Sequence, residues 1–288
     1  MDKLKIWFTN VWPEFIKDEN IFLPILQKHF EVEITSNNPD VVIHSIFGGI
    51  TDAQKFKCKK ILFIGENYRA KNYPCDYSIS FDPHTETNYR LPLWQFYLIL
   101  RPQLKDILFG PRIQHDNFDR FCSFTVSNPA NFIRNGFFQM VNSYKRVHSY
   151  GRYMTNDLSL QQITNGCYWR DVKYEFFLKY KHKFSICFEH SPYPGYETEK
   201  LMDAFLSRSL PIYWGSSKIG EDWNTDAFLR SDSKIDLNTC MNDVKRLDEH
   251  WQNWAGVYSK PIFTEEQKQR HISNIENFEV WLIEKILK

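Results

Sequence analysis

Short apolar runs separated by amphipathic stretches dominate the first third of the chain. Runs rich in β-branched and aromatic residues predict strands at residues 4–8, 32–35, 41–47, 61–64 and 77–81. Asn20 is a candidate N-cap for a helix that runs to about residue 30. Buried strands that alternate with helices are typical of a mainly parallel sheet covered on both faces. The pattern therefore predicts an α/β domain.

The middle of the chain contains the predicted domain boundary. Residues 82–90 are polar and predict an irregular segment, and residues 91–109 predict helix broken at Pro102. Residues 110–120 are polar and lack any periodicity. We therefore expect a first domain over residues 1–115.

The second half repeats the alternation of strands and helices. Residues 121–126, 184–188 and 211–214 predict strands, and residues 132–144 and 198–206 predict helices. Residues 264–288 predict one amphipathic helix, which we expect to pack across the domains. A second α/β domain is thus predicted over residues 116–263. Two such halves would bind a ligand in the crevice between them, outside the carboxyl ends of their strands.

Composition excludes several classes of protein. The 36 Lys and Arg residues balance 35 Asp and Glu residues, so we expect no nucleic-acid partner. The six cysteines include no C-x-x-C pair, which argues against a zinc ribbon and a disulfide framework. No apolar stretch reaches the roughly 18 residues of a membrane span, and the one near the N-terminus is too short for a signal peptide. We expect a cytoplasmic protein with at most peripheral contact at the inner face of the membrane.

Missing motifs narrow the chemistry further. The eleven glycines include neither G-x-G-x-x-G nor G-x-x-x-x-G-K-[ST], which argues against a dinucleotide oxidoreductase and a P-loop ATPase. The chain also has no D-x-D and no H-x-x-x-H. We expect no metal site, so bound phosphate would be held by Arg, Lys and helix N-termini.

Three charged positions are candidates for that chemistry. Lys200, in the first turn of a predicted helix, opposes the helix dipole and suggests an anionic ligand; the alternative is a solvated pair with Glu199. Arg134 offers a planar fork for phosphate, or else covers aromatic neighbours at the surface. Glu66 follows the strand at 61–64, where a carboxylate would act as a general base or cap a turn.

These positions fall in three motifs that occur in a fixed order. G-E-N spans 65–67, S-N-x(5)-R-N-G-F spans 127–137, and C-F-E-x-S followed by G-Y-x-T-E-K spans 187–200, before L-P-I-Y-W-G-S at 210–216. Together they resemble the family 10 glycosyltransferases, the α-1,3/4-fucosyltransferases, and most closely the soluble bacterial members.

The resemblance implies a GT-B architecture, in which two Rossmann-like domains face each other across a cleft. The N-terminal domain would bind the acceptor and the C-terminal domain GDP-fucose. The implied reaction is inverting, metal-independent transfer of L-fucose to the 3-OH of N-acetylglucosamine or glucose in a β-linked oligosaccharide or lipopolysaccharide glycan. Glu66 matches the general base. The positions that match the donor site are Arg134, Lys200, Glu199, Tyr196, Glu189, Asn128, Ser127 and Arg152.

Two positions depart from the family pattern. His190 stands where Asn is usual, and Glu197 stands where an aliphatic residue is usual and would add negative charge near the diphosphate. Either change could alter donor affinity, which leaves open a different nucleotide-activated sugar. A non-catalytic glycan-binding protein is the other alternative, against which a phosphate clamp of Arg134 and Lys200 argues.

Overall fold

The chain divides into two compact units, each built on a parallel sheet. The computed structural model describes residues 1–13, 15–17, 20–49, 51–115, 117–163, 169–232 and 236–287. Unit 1 contains Met1–Pro102 and Gln269–Lys288, and unit 2 contains Gln103–Lys268. The division falls earlier than the predicted boundary, whose residue Asp116 lies outside the described residues. Packing of the last helix across the domains stays a prediction.

Strands and helices alternate through most of both units. The strands are β1 (Asp2–Thr9), β2 (Phe30–Ile34), β3 (Val41–His44), β4 (Lys59–Phe63), β5 (Tyr77–Ser80), β6 (Asn88–Arg90), β7 (Arg120–Phe124), β8 (Val147–Ser149), β9 (His182–Phe188), β10 (Leu210–Trp214) and β11 (Leu229–Arg230). The α-helices are α1 (Phe22–Gln27), α2 (Thr51–Gln54), α3 (Leu93–Leu100), α4 (Gln103–Phe109), α5 (Phe132–Tyr144), α6 (Ser159–Ile163), α7 (Trp169–Lys179), α8 (Glu199–Leu206), α9 (Ile219–Asp222), α10 (Leu237–Glu249), α11 (Trp251–Tyr258) and α12 (Glu265–Leu287). Short 3₁₀ helices lie at Ala70–Asn72 and Thr225–Ala227.

Unit 1 has the strand order β2-β1-β3-β4-β5-β6, with every neighbouring pair parallel. Its core joins apolar side chains of the sheet to α1 and to Phe278, Trp281 and Leu282 of α12. The Oδ1 atom of Asn20 accepts the N–H groups of the first two residues of α1 at 2.9 and 3.0 Å. Asn20 thus caps this helix as predicted, but the helix ends at Gln27 and not near residue 30, where β2 begins.

Unit 2 repeats the same arrangement with the order β11-β10-β9-β7-β8, again all parallel. In both sheets the chain builds outward in one direction and then reverses, as in flavodoxin-like folds. The reversal lies between β1 and β3 in unit 1 and between β7 and β9 in unit 2. Ligands of such sheets bind beyond the carboxyl ends of the strands at this reversal, which directs attention to the segments that follow β7 and β9.

The structure confirms the α/β class and most predicted elements. Helix α5 has the predicted bounds, and the predicted break at Pro102 separates α3 from α4. The segment predicted to be irregular contains the edge strand β6, so that prediction was wrong for Asn88–Arg90. Within the described ranges, no helix combines the length and the hydropathy that crossing a membrane requires.

Candidate functional site

The segments that follow β7 and β9 bring several of the predicted site residues together. Ser127 and Asn128 come shortly after β7, and Glu189 and His190 come directly after β9. These two strands are neighbours at the reversal of the sheet in unit 2. The geometry therefore gathers residues from two separate motifs at the edge of the sheet where ligands are expected.

Glu189 is the central group of this site and is fully buried. Its carboxylate accepts the backbone N–H of Thr198 at 2.8 Å, and the Thr198 hydroxyl lies 2.7 Å from its Oε2 atom. The Lys200 ammonium donates to the same Oε2 atom at 2.9 Å. A carboxylate at the start of α8 is favoured by the unpaired N–H groups of the helix. The chain itself thus supplies a carboxylate at this helix terminus, and the anionic ligand expected at Lys200 stays a prediction.

Lys200 is held by Glu189 and also donates to the Thr198 hydroxyl at 2.8 Å. Its side chain is 21% exposed, whereas that of Glu189 is fully buried. Burial opposes its charge, but attraction to Glu189 and Glu199 outweighs burial and raises the pKa of Lys200. The predicted alternative of a solvated pair with Glu199 is wrong, because Glu199 is 9% exposed and the Lys200 ammonium forms an ion pair with the buried Glu189.

Arg134 lies in the first turn of α5 and is 2% exposed, so the surface position considered for it is wrong. One terminal nitrogen donates to the carbonyl of Asn128 at 2.6 Å, while its Nε atom is buried without a hydrogen-bond partner. Burial lowers the pKa of Arg134, and the charge of Glu189 opposes that shift. Glu189 therefore pairs directly with Lys200 and acts on Arg134 only through its charge.

Asn131 connects the two segments of the site and was not singled out from the sequence. Its Oδ1 atom accepts the N–H of Arg134 at 2.8 Å, which caps α5, and its amide donates to the carbonyl of His190 at 2.6 Å. The signal that could have found it is local, since Asn three residues before Arg134 is a preferred N-cap. The hydrogen bond from Asn131 to the His190 carbonyl joins residues far apart in the sequence, so no local pattern predicts it.

The two departures from the family pattern differ in their surroundings. Glu197 is 2% exposed and its Oε2 atom accepts the indole N–H of Trp223 at 3.0 Å. Burial lowers the pKa of His190, and the charges of Arg134 and Lys200 lower it further, which favours the neutral imidazole. Glu197 thus faces an indole rather than a solvent-filled pocket.

The remaining predicted donor residues differ in exposure. Tyr196 is 2% exposed, whereas Ser127, Asn128 and Arg152 are exposed. The Asn128 side chain accepts the N–H of Ala130 at 2.9 Å, so it shapes the turn after β7 while its carbonyl holds Arg134. Arg152 lies in the loop after β8, the strand that flanks β7 on the other side.

Gly215 lets Glu189 occupy its buried position. A Cβ atom at Gly215 would lie 2.6 Å from the Cγ atom of Glu189 and 2.6 Å from the hydroxyl of Tyr213. Gly195, at φ +80°, turns the loop between Glu189 and α8, and its N–H donates to the Ser216 hydroxyl at 2.8 Å. The glycine of the W-G-S motif is therefore required by packing.

The predicted catalytic base belongs to unit 1. Glu66 is exposed and follows the carboxyl end of β4. Its carbonyl accepts the N–H of Tyr68 at 2.7 Å, which closes a tight turn. Arg69 braces this turn by donating to the Asn67 side chain at 2.6 Å and pairing with Asp82 at 3.1 Å. Glu66 thus lies on a turn that hydrogen bonds hold in unit 1.

The chemistry available at both positions is ionic. Across the described ranges, no group of three or more His, Cys, Asp or Glu side chains is arranged to hold a metal ion. Unit 2 presents the cations Arg134 and Lys200 in the segments that follow β7 and β9, which suits an anionic ligand such as a diphosphate. Unit 1 presents an exposed carboxylate, which suits proton transfer.

Comparison with known proteins identifies related sequences for both units. The model of the alpha-(1,3)-fucosyltransferase FucT N-terminal domain matches residues 6–97, and that of glycosyltransferase family 10 (fucosyltransferase) C-term matches residues 118–259. Alpha-(1,3)-fucosyltransferase FucT of Helicobacter pylori is 27% identical over 313 residues, covering 94% of this chain and 63% of that protein. A putative fucosyltransferase, R654, of Acanthamoeba polyphaga mimivirus is 26% identical over 147 residues, covering 50% of this chain and 24% of that protein. The chain therefore spans less than two thirds of the length of these relatives.

Solved structures share the fold. The crystal structure of an alpha1,3-fucosyltransferase superposes with a TM-score of 0.74 at 22% identity, covering 97% of this chain and 90% of that one. The crystal structure of alpha1,3-fucosyltransferase with GDP-fucose superposes with a TM-score of 0.71 at 22% identity, covering 97% of this chain and 91% of that one. These matches confirm the GT-B fold class predicted from the sequence.

The buried ion pair predicts a stability effect that is specific to Glu189. Glu189→Gln should lower the free energy of unfolding by about 1.5–3 kcal/mol, because a neutral amide cannot pair with the Lys200 ammonium. Urea denaturation measures the change. Glu221→Gln is the matched control, since its pair with Lys218 is exposed and should contribute little. Equal losses in the two variants would contradict the assigned role of Glu189.

Proposed function

This chain belongs to glycosyltransferase family 10, the fucosyltransferase family, and on that premise we propose that it is an α-1,3-fucosyltransferase with GDP-fucose as its donor. The observation that carries the proposal is the presence of two cations, Arg134 and Lys200, in the segments beyond the carboxyl ends of β7 and β9, with Lys200 paired to the buried Glu189. A leaving diphosphate gains negative charge in the transition state, and fixed cations stabilise that charge. A protein that only bound glycans would not need this arrangement.

The proposed reaction uses no metal ion and no cofactor besides the donor substrate. Arg134 and Lys200 take the part that a divalent cation plays in other nucleotide-sugar transferases. Lys200 is the group that a diphosphate reaches first, since its side chain is 21% exposed. Arg134 is covered by the carbonyl of Asn128, so direct contact with phosphate requires the turn after β7 to shift.

The other donor-site residues receive more specific roles. Glu199 binds the ribose hydroxyls and Tyr196 lies beside the nucleoside, as their positions in the motif imply. Glu189 is fully buried, so its role is to hold Lys200 and the first turn of α8 rather than to touch the donor. The exposed residues Ser127 and Arg152 border the site, and the turn at Asn128 adjoins Arg134.

The proposed acceptor is a β-linked glycan with a free 3-OH on N-acetylglucosamine or glucose, in an oligosaccharide of the Lewis type or in lipopolysaccharide. The acceptor oxygen attacks C1 of fucose while the Glu66 carboxylate takes its proton. The bond between C1 and the β-phosphate oxygen breaks, and GDP leaves with the electron pair. Attack from the side opposite the diphosphate inverts the configuration at C1, so Glu66 acts on the acceptor side.

A different nucleotide-activated sugar remains the alternative donor. It rested on His190 and Glu197, the two departures from the family pattern. The Glu197 carboxylate is buried and accepts the indole N–H of Trp223, so its negative charge is held within the protein, and burial together with both cations lowers the pKa of His190, which disfavours a positive charge there. We therefore retain GDP-fucose as the donor.

The function predicts fucose transfer in the presence of excess EDTA. The chain, GDP-fucose and a panel of β-linked N-acetylglucosamine and glucose acceptors should yield a product whose anomeric proton and linkage NMR assigns as α-1,3-fucose. GDP-mannose serves as the donor control. Loss of transfer in EDTA that Mn²⁺ restores would contradict the metal-free mechanism, and transfer only from another sugar nucleotide would contradict the donor.

The cation pair predicts the affinity for GDP. Arg134→Ala and Lys200→Ala should each weaken GDP binding about ten- to a hundredfold, as loss of a charge-assisted hydrogen bond implies. Arg134→Lys should recover only part of the affinity for GDP, because lysine lacks the guanidinium fork. Calorimetric titration measures the dissociation constants, with Lys245→Ala on an exposed turn of α10 as the control. Wild-type affinity in both alanine variants would show that the donor site lies elsewhere.

The proposed base predicts a selective loss of turnover. Glu66→Gln should lower kcat about 10²–10⁴-fold, since the amide cannot accept the proton, while the Kd of GDP-fucose stays within about threefold. Because Glu66 is exposed, the melting temperature should hardly change. Glu33→Gln, at an exposed position of β2, is the control. If the variant keeps wild-type kcat and instead melts earlier, Glu66 is a structural cap.

A further inference from the structure

A half-exposed aromatic ring lies on the same turn as Glu66. Tyr68 is 52% exposed, and its backbone N–H donates to the carbonyl of Glu66 at 2.7 Å. Both side chains therefore leave one short loop at the carboxyl end of β4. Isolated exposed aromatics are common on protein surfaces, so exposure alone says little. This ring is of interest because it lies next to Glu66, the proposed base.

The surroundings hold the Tyr68 ring in place. Its centroid is 6.3 Å from that of Tyr73, in an edge-to-face arrangement at 76°. Tyr73 packs in turn against a small core cluster of Leu62, Ile64 and Ala70. On the other side of the loop, the guanidinium of Arg69 lies 3.9 Å from the ring centroid of Phe81. Tyr68 thus presents a supported ring to solvent, and little side-chain entropy is lost when a ligand covers it.

We propose that Tyr68 is a specificity-determining residue whose ring binds the apolar face of the acceptor sugar. The inference rests on the proposed function, since it takes Glu66 as the group that meets the acceptor hydroxyl. A hydroxyl at hydrogen-bond distance from Glu66 brings the rest of its pyranose ring over the adjacent loop. The C–H groups of a sugar face are slightly positive and suit the negative face of an aromatic ring.

The stacking surface selects the class of acceptor. In a gluco-configured pyranose the ring hydroxyls are equatorial, so both faces carry axial C–H groups and are apolar. Such a ring covers the exposed face of Tyr68 while its hydroxyl edge points to Glu66. The acceptor is therefore a gluco-configured residue of a glycan, and a simple alcohol or a flexible polyol lacks the face that Tyr68 recognises.

The test separates acceptor binding from donor binding. Tyr68→Ala should raise the KM of N-acetyllactosamine about three- to tenfold, in line with one aromatic contact, and leave the Kd of GDP unchanged. Tyr68→Phe should keep the wild-type KM, because the face remains. Tyr68→Leu should behave like Tyr68→Ala. Wild-type KM in Tyr68→Ala, or full recovery in Tyr68→Leu, would overturn the aromatic contact.

Trp251→Ala is the matched control. Trp251 is 45% exposed and stacks on Trp254 at 4.9 Å, but it belongs to unit 2. Its removal should leave the acceptor KM unchanged, and a rise equal to that of Tyr68→Ala would overturn the inference by showing an unspecific effect.

A binding measurement distinguishes this inference from the proposed function. Saturation-transfer NMR on the wild-type chain without donor should show contact with the ring protons of N-acetyllactosamine, and Tyr68→Ala should weaken the signal. If no glycan of the panel shows saturation transfer, the inference is overturned. If transfer of saturation is present and depends on Tyr68, but no fucose is transferred, the inference stands and the proposed function fails.

Discussion

The buried carboxylate of Glu189 is the group on which the rest of the site in unit 2 depends. A charge without exposure to water is tolerated only when it is paired and hydrogen-bonded, and here Thr198 and Lys200 provide the partners. Each of these contacts also fixes a neighbouring part of the chain. Thr198 marks the residue at which α8 begins. Lys200 is held by its own hydrogen bond to the same carboxylate, and Gly215 must lack a side chain because Glu189 occupies the space. One ion pair thus sets the path of the loop from β9 to α8.

The same ion pair changes how an anion would be bound. A free helix N-terminus attracts phosphate through its N–H groups, but at α8 Glu189 already accepts the N–H of Thr198. A ligand would therefore meet side-chain cations rather than the end of the helix. Attraction to Glu189 and Glu199 outweighs burial and keeps Lys200 protonated without ligand. Binding of an anion would then require no proton uptake by Lys200, and the positive charge would be in position beforehand, which is the condition for electrostatic preorganisation.

Local patterns explain which parts of the fold could be predicted. The bounds of α5 follow from its apolar spacing and its Asn131 cap, which are both encoded within a few residues. The edge strand β6 has three residues and a polar composition, so nothing local marks it. It is held by contacts with the neighbouring strand β5, since the Oδ1 atom of Asn88 accepts hydrogen bonds from the hydroxyls of Ser78 and Ser80 at 2.7 and 2.8 Å. Such pairing depends on the sheet being assembled and leaves no periodic signal.

The candidate site, like the fold, could be predicted from the sequence only in part. Motifs identified the residue types that carry charge, and the sheet order brought those after β7 and β9 to one edge. What the motifs could not supply was the partner of each charge. The pairing of Glu189 with Thr198 crosses a loop of eight intervening residues, 190–197, whose course depends on the positive φ of Gly195 and on its bond to Ser216. The same loop turns Glu197 toward Trp223, so a residue that adds a negative charge to the motif acquires an indole as its partner. Whether an acidic residue in such a motif repels a ligand, binds it or supports a cation is thus decided by the path of the backbone between strand and helix.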